Sequence, residues 1–465
     1  MKSTLTVVLL LACIAGISQT TFEFSDSAVL SRLSRDVHIL ASDSFAGRKS
    51  GSDGERIASG YIIRSFKEAG LIPPGGNDSS FLQPFPIKSI RIPRTSNTMI
   101  IEGFNNPLYV QHDFSPTAYS GNGREEGHNY LLIDLARYGT PGQIKMGDTG
   151  HSVRQAVQHA FQQGYNAVLL SNEGKLNGSE ADSLYDRMHV KPENGLVVSV
   201  NSDIAIYLLN HPDANISLSV DIKRTSTICN NVVGVINHEA PHTIIIGAHY
   251  DHLGLNSKRK VFNGADDNAS GTATMMELSR YLKQCGDSSN NYLFIAFSGE
   301  EEGLLGSGYF VKHPLVCLQS INFMVNLDMV GRLGCEGNRI IAFGTGSSPS
   351  WRKVYKETAH PGFRLSRVNG VHNFSDHLDF YRHQIPIISL TTGFHYDYHT
   401  THDDASTINY TGMVDIVKYL EGLLRNVSAI GMVGYQNVSG YANFGANFKI
   451  VIAGIDHLLS VGSDE

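Results

Sequence analysis

Apolar residues recur along the chain at two spacings, one helical and one continuous, and the change of spacing marks its parts. From Asp26 to Leu71 the period is that of a helix: Ala58, Ile62, Phe66 and Ala69 share a face, and Gly70 ends the run ahead of Pro73-Pro74. Between residues 96 and 226 a strand-like segment, Tyr130–Leu135, precedes an amphipathic helix with Val153, Ala156, Val157, Ala160 and Phe161 on one side. Two apolar strands, Ala167–Leu170 and Leu196–Val200, follow. From Asn230 to Met432, unbroken β-rich runs at Thr243–Ala248, Tyr292–Phe297, Ile321–Leu327 and Ile385–Leu390 alternate with helical stretches, Ala269–Leu282 among them. A strand covered on both faces has no polar side to alternate with. The pattern therefore predicts an α/β fold with a mixed, largely parallel sheet flanked by helices.

This texture divides the 465 residues into five parts. They are a leader (1–18), an N-terminal segment of the main domain (19–95), a smaller inserted α/β unit (96–226), the main domain (227–432) and a tail (433–465). In the leader, Lys2 precedes an apolar run, Leu5–Ile17, that is too short to span a bilayer and ends in small residues, as an export signal does. Leu10-Leu11-Ala12-Cys13 is the alternative, a lipoprotein cleavage box that would anchor the chain through Cys13. No other run reaches transmembrane length, so the expectation is an exported protein without an integral membrane span.

Composition narrows the partners. Acidic residues number 44 against 37 basic, a net charge of −7, and no basic patch is visible, so nucleic acid is not expected as a partner. With Cys13 removed, Cys229, Cys285, Cys317 and Cys335 leave three disulfide pairings open and form no Cys-x-x-Cys metal pattern. The 20 histidines hint at metal, but position decides.

Polar groups gather where the predicted strands end. His249 and Asp251 follow the first run, and Gly264-Ala265-Asp266-Asp267-Asn268-Ala269-Ser270-Gly271 opens the next helix. Glu300, Glu301 and Glu302 follow the second run, Asp328 the third, and His395, Tyr398 and His399 the last. In open α/β sheets ligands bind at the carboxyl ends of the strands. Each group alone has a plain explanation, such as a surface pair, a helix cap or a solvated helix start. Their joint placement on one rim does not. Several carboxylates in a partly desolvated cleft cannot all stay ionised without cations, and mixed His and carboxylate donors suit zinc. Three ligating carboxylates and one further ionised Glu would balance two divalent ions, a pairing suited to amide hydrolysis.

His249-Tyr250-Asp251, the Gly264–Gly271 segment, Ser298-Gly299-Glu300-Glu301-Glu302-Gly303, Asn326-Leu327-Asp328 and Tyr398-His399-Thr400 together resemble the M28 zinc peptidases. Phe45-Ala46-Gly47-Arg48 is similar to that family's opening segment, and the 96–226 unit resembles a protease-associated (PA) domain. The resemblance implies that Asp267 bridges two zinc ions, with His249 and Asp328 on one and Glu301 and His399 on the other. It also implies a cis peptide after Asp267, which family members often carry. Glu300 would be the general base and Tyr398 the oxyanion donor. Asp251 would orient His249 by accepting its second ring N–H. Ser375-Asp376-His377 resembles a segment near the family's substrate pocket, and Asp403 is either a partner of the site or a helix start.

The activity implied is an exported aminopeptidase acting on peptides. A glutamate-type carboxypeptidase and a single-zinc glutaminyl cyclase are alternatives on the same scaffold. A peptide-binding protein with a structural metal is the alternative of another class; structural zinc sits in a closed cage, which the adjacent Glu300 does not fit. Side-chain specificity and oligomeric state are not readable from the residues.

Overall fold

The structure, a computed structural model, describes residues 22–438 except 118, 135–147, 172–192, 257, 335–336 and 359–361. The leader, Cys335 and most of the tail therefore lie outside the described residues. The chain forms two compact units, one from the segments up to Pro84 and from Asn230 onward, the other from Phe85–Cys229.

The first unit is built on an eight-stranded mixed sheet. Across it the strands run Leu82–Arg91, Lys223–Ile236, Asn291–Phe297, Thr243–His249, Ile321–Leu327, Ile387–Thr391, Arg339–Phe343 and Arg364–Val368. The four central strands are mutually parallel, and an antiparallel neighbour closes each side of them. All seven residues of Thr243–His249 and of Ile321–Leu327 are buried, as unbroken apolar runs require. One apolar cluster joins this sheet to the helices Asp26–Leu40, Asp53–Glu68, Gly271–Cys285 and Tyr410–Ser428. A second lies under Leu305–Lys312 and His377–Arg382.

The helical period from Asp26 to Leu71 resolves into two helices. Ser52 caps the second by accepting the Glu55 N–H at 3.3 Å, and the Glu55 carboxylate accepts the Gly51 N–H at 2.6 Å. Gly70, at φ +80°, ends it. Between the helices the chain turns through Ala46, Gly47 and Arg48, all at positive φ. That turn carries Arg48 inward, which hydrophobic spacing cannot express.

The second unit holds a four-stranded sheet, in the order Phe114–Pro116, Leu196–Val200, Ala167–Ser171 and Tyr130–Asp134, whose last three strands are parallel. It also holds an antiparallel three-stranded sheet of Thr98–Ile101, Ile216–Val220 and Gly123–Gly127. The helix Asp148–Gln162 packs Val157 and Ala160 against Val168 and Leu170. Among the described residues no helix is long and apolar enough to cross a membrane. Cys285 and Cys317 are exposed and not disulfide-bonded, and Cys229 is buried.

Candidate metal centre and active site

All the site residues belong to the first unit, and they stand where its parallel strands end. His249 is the last residue of its strand and is 1% exposed. Asp328 follows Ile321–Leu327, its backbone N–H bonded to the Leu390 carbonyl at 3.2 Å. Glu300 and Glu301 sit in the turn after Phe297, between Gly299 and Gly303, both at positive φ.

Asp266 and Asp267 lie in the loop before the Gly271–Cys285 helix, and the two acids face opposite ways. The Asp266 carboxylate accepts from Ser270 at 3.0 Å and from the Gly331 N–H at 2.6 Å, and its Oδ2 lies 3.1 Å from His395 Nε2. Asp267 is left to the cleft. The Asp267–Asn268 peptide is cis. Asn268 ties the loop to the strand end by donating to the Leu327 carbonyl at 2.9 Å and accepting the Met329 N–H at 3.2 Å. Asp403 accepts the N–H groups of Asp266 and Asp267, each at 3.0 Å, so it is a structural clamp on this loop.

The two Asp267 oxygens point to different neighbours. Oδ1 is 3.3 Å from His249 Nε2, which is also 3.4 Å from Asp328 Oδ1. Oδ2 is 3.1 Å from His399 Nε2, which is also 3.3 Å from Glu301 Oε2. His249, Asp267 and Asp328 each offer a ligand atom within 4.8 Å of the others, and so do His252, Asp267 and Glu301. Buried imidazole nitrogens and carboxylate oxygens gathered on a shared aspartate are a donor set that fits divalent zinc.

Charge in the cleft is strongly coupled. Burial opposes a charge on His249, yet the Glu300 and Asp328 carboxylates hold its imidazole well above the ordinary value. Burial opposes ionisation of Asp267, but His249 and His399 hold it well below the usual carboxylate range. Burial and Asp267 would raise Glu301; His252 and His399 instead bring it to about 2. Glu300 moves the other way. Burial, partly offset by His249 and reinforced by Glu301, Asp328 and Asp376, pushes it well above its ordinary value. One carboxylate of the pair is thus held ionised while its neighbour prefers the proton, the division expected between a ligand and a base. The Tyr398 ring stacks on His399 at 3.8 Å, and burial with the surrounding carboxylates keeps its hydroxyl protonated.

Three further expected residues, Asp251, Asp376 and His377, are placed as follows. His249 Nδ1 meets the Asp251 backbone carbonyl at 3.2 Å, while the Asp251 carboxylate lies 3.8 Å away. That carboxylate instead accepts from the Ser50 hydroxyl at 2.8 Å and the Glu300 N–H at 3.2 Å, so it holds the Glu300 turn. Asp376 and His377 are fully buried. His377 Nε2 is 3.2 Å from the His372 carbonyl, and burial keeps the ring neutral, lowered to about 3. Burial, partly offset by His249, raises the Asp376 carboxyl to about 8, and Asp376 in turn is one of the groups that raise Glu300.

Two residues escaped the motif reading. His252, three positions after His249, places Nδ1 2.8 Å from Glu301 Oε1. The buried Arg48 donates to the carbonyls of Tyr250 (2.8 Å), Leu40 (2.6 Å), Asn263 (2.8 Å) and Gly264 (2.9 Å), lacing the N-terminal turn to both loops of the site. The Phe45–Arg48 motif was a signal for Arg48, but not for what it touches.

The profile of peptidase family M28 matches residues 231–423. Aminopeptidase YwaD of Bacillus subtilis (strain 168) is 35% identical over 141 residues, covering 29% of this chain and 28% of that protein. The uncharacterized protein YfbL of Escherichia coli (strain K12) is 29% identical over 246 residues, 45% of this chain and 74% of that protein. The chain spans less than a third of the length of Aminopeptidase YwaD and of the probable leucine aminopeptidases of Arthroderma otae, Trichophyton verrucosum and Arthroderma benhamiae that it matches. Among solved structures, the aminopeptidase from Aneurinibacillus sp. strain AM-1 superposes with a TM-score of 0.57 at 20% identity, over 89% of this chain and 97% of that one. The zinc aminopeptidase BSAP of Bacillus subtilis gives 0.50 at 19% identity, over 91% and 98%. These superpositions show that the fold is shared.

Proposed function

We propose that the protein, whose residues 231–423 match the profile of peptidase family M28, is a zinc-dependent aminopeptidase that removes N-terminal residues from peptides. The observation that carries this reading is the division of the two Asp267 oxygens between the His249–Asp328 and the His399–Glu301 sides. His249, Asp267 and Asp328 would hold one zinc ion, and Asp267, Glu301 and His399 the other. When bound, such a pair polarises a scissile carbonyl and makes water nucleophilic near neutral pH.

The chain's own groups supply the rest. Glu300, raised well above its ordinary value by burial and its neighbours, takes a proton from the attacking water and returns it to the leaving amine. The Tyr398 O–H, kept protonated, donates to the oxygen on which charge develops. Asp251 holds the Glu300 turn through the backbone N–H.

The apolar leader, Leu5–Ile17, supports export, and the parallel strands Tyr130–Asp134, Ala167–Ser171 and Leu196–Val200 with their covering helix support a PA-like reading of residues 96–226. The test is hydrolysis of amino-acid anilides and of a peptide library with N-terminally blocked controls. Cleavage of free but not blocked peptides is expected. Equal cleavage of both, or none with zinc present, overturns the reading.

A further inference from the structure

Glu301 is gripped from behind by His252. The two lie on adjacent strand-end loops, and His252 is 1% exposed. Its Nδ1 is 2.8 Å from Glu301 Oε1 but 3.7 Å from Asp267 Oδ2, while the other oxygen, Glu301 Oε2, is the one that meets His399 Nε2. The ring is wedged in place. A Cβ on Gly264 would lie 2.5 Å from its Cδ2, its backbone N–H donates to the Arg48 carbonyl at 3.3 Å, and the His399 ring stands edge-on at 5.8 Å.

The second ring nitrogen decides the role. His252 Nε2 is buried and has no hydrogen-bond partner among the described residues. A metal-ligating histidine ordinarily donates its other N–H to a carboxylate, carbonyl or water. Ligation through Nδ1 would put the proton on Nε2 and strand a buried donor. With the proton on Nδ1, the ring makes a short charge-assisted bond to Glu301 and leaves only a lone pair at Nε2.

We propose that His252 is a positioning residue: donating from Nδ1, it occupies Glu301 Oε1 and presents Oε2 alone to the His399 side. On the two-ion reading above, on which this rests, that grip sets the zinc affinity of the Glu301–His399 side and leaves the His249–Asp328 side untouched.

The test titrates zinc into the metal-free full chain by chelator competition, comparing the natural protein with His252→Asn, His252→Ala and His252→Phe. Asn retains an amide donor near the position of Nδ1; Ala and Phe do not. Ala and Phe are expected to weaken one zinc site 10–100-fold, the range for loss of such an outer partner, with the other site unchanged. Asn should stay close to the natural protein. At saturation the cobalt-substituted absorption spectrum should be the same in all four, because no ligand is lost. If Phe does not fold, by melting of the metal-free chain, the Asn and Ala pair decides.

Equal loss in Asn and Ala with an altered cobalt spectrum would make His252 a ligand and overturn the proposal. So would zinc binding unchanged in every variant. A natural chain that takes up fewer than two zinc ions overturns the two-ion reading itself, and this inference with it, whatever the variants do.

Discussion

The two sides of Asp267 hold similar donors in different ways. On one side His249 ends a fully buried strand, is 1% exposed, and has its second ring nitrogen against a backbone carbonyl two residues away. On the other, His399 comes from a loop beyond the last parallel strand, adopts φ +56° and leaves 35% of its side chain accessible. A strand end inherits the stiffness of the sheet, and a loop residue must be held by contacts it makes itself. The stack of Tyr398 and the grip of His252 on Glu301 stiffen the looser side. One site can therefore be half rigid scaffold and half adjustable loop.

The most severe way to break this comparison is to remove what both sides share. Asp267→Ala should bind no zinc by elemental analysis and have activity at background; two retained ions would refute the bridging role. Glu300→Gln should keep both ions and lose about 10²–10⁴-fold in kcat, the usual worth of a positioned base. Full activity in that variant would remove Glu300 from the chemistry.

Separating the sides comes next. Stepwise chelation should strip the His399 side first, and His399→Ala should retain one zinc per chain while His249→Ala loses the more tightly held ion. Release of both ions together would mean that the rigidity difference does not reach the metal.

The smallest expected effect is on stability. Arg48→Met removes the guanidinium donor shared by the carbonyls of Leu40, Tyr250, Asn263 and Gly264 and should destabilise the first unit by about 3 kcal/mol in urea unfolding. Its melting curve matching that of the natural protein would show that those carbonyls find other partners.

Much of this is legible in the residues alone. Ile321–Leu327 and Leu196–Val200 have the same bounds in the residue pattern and in the structure, because a fully buried strand is a contiguous apolar run. Gly123–Gly127 was not legible: its residues are Gly-Arg-Glu-Glu-Gly, and only pairing with Ile216–Val220 makes them a strand. The Arg364–Val368 strand at the sheet edge was missed for the same reason, since it mixes two arginines and a serine into its five residues.

Within the site, the residues that meet the cleft carry the types and order that announce them, and the structure brings His249, Asp267, Glu301, Asp328 and His399 together. What supports them is spoken for in space rather than along the chain. Nothing in His249-Tyr250-Asp251-His252 says that the Asp251 carbonyl, and not its carboxylate, meets the His249 ring, or that His252 belongs to Glu301. Residue type and strand-end position, both local properties, determined the reacting groups. Loop paths and a few tenths of an ångström decided which neighbour each buried polar atom was given, and hydrogen bonding is too short-ranged for that choice to be written in spacing.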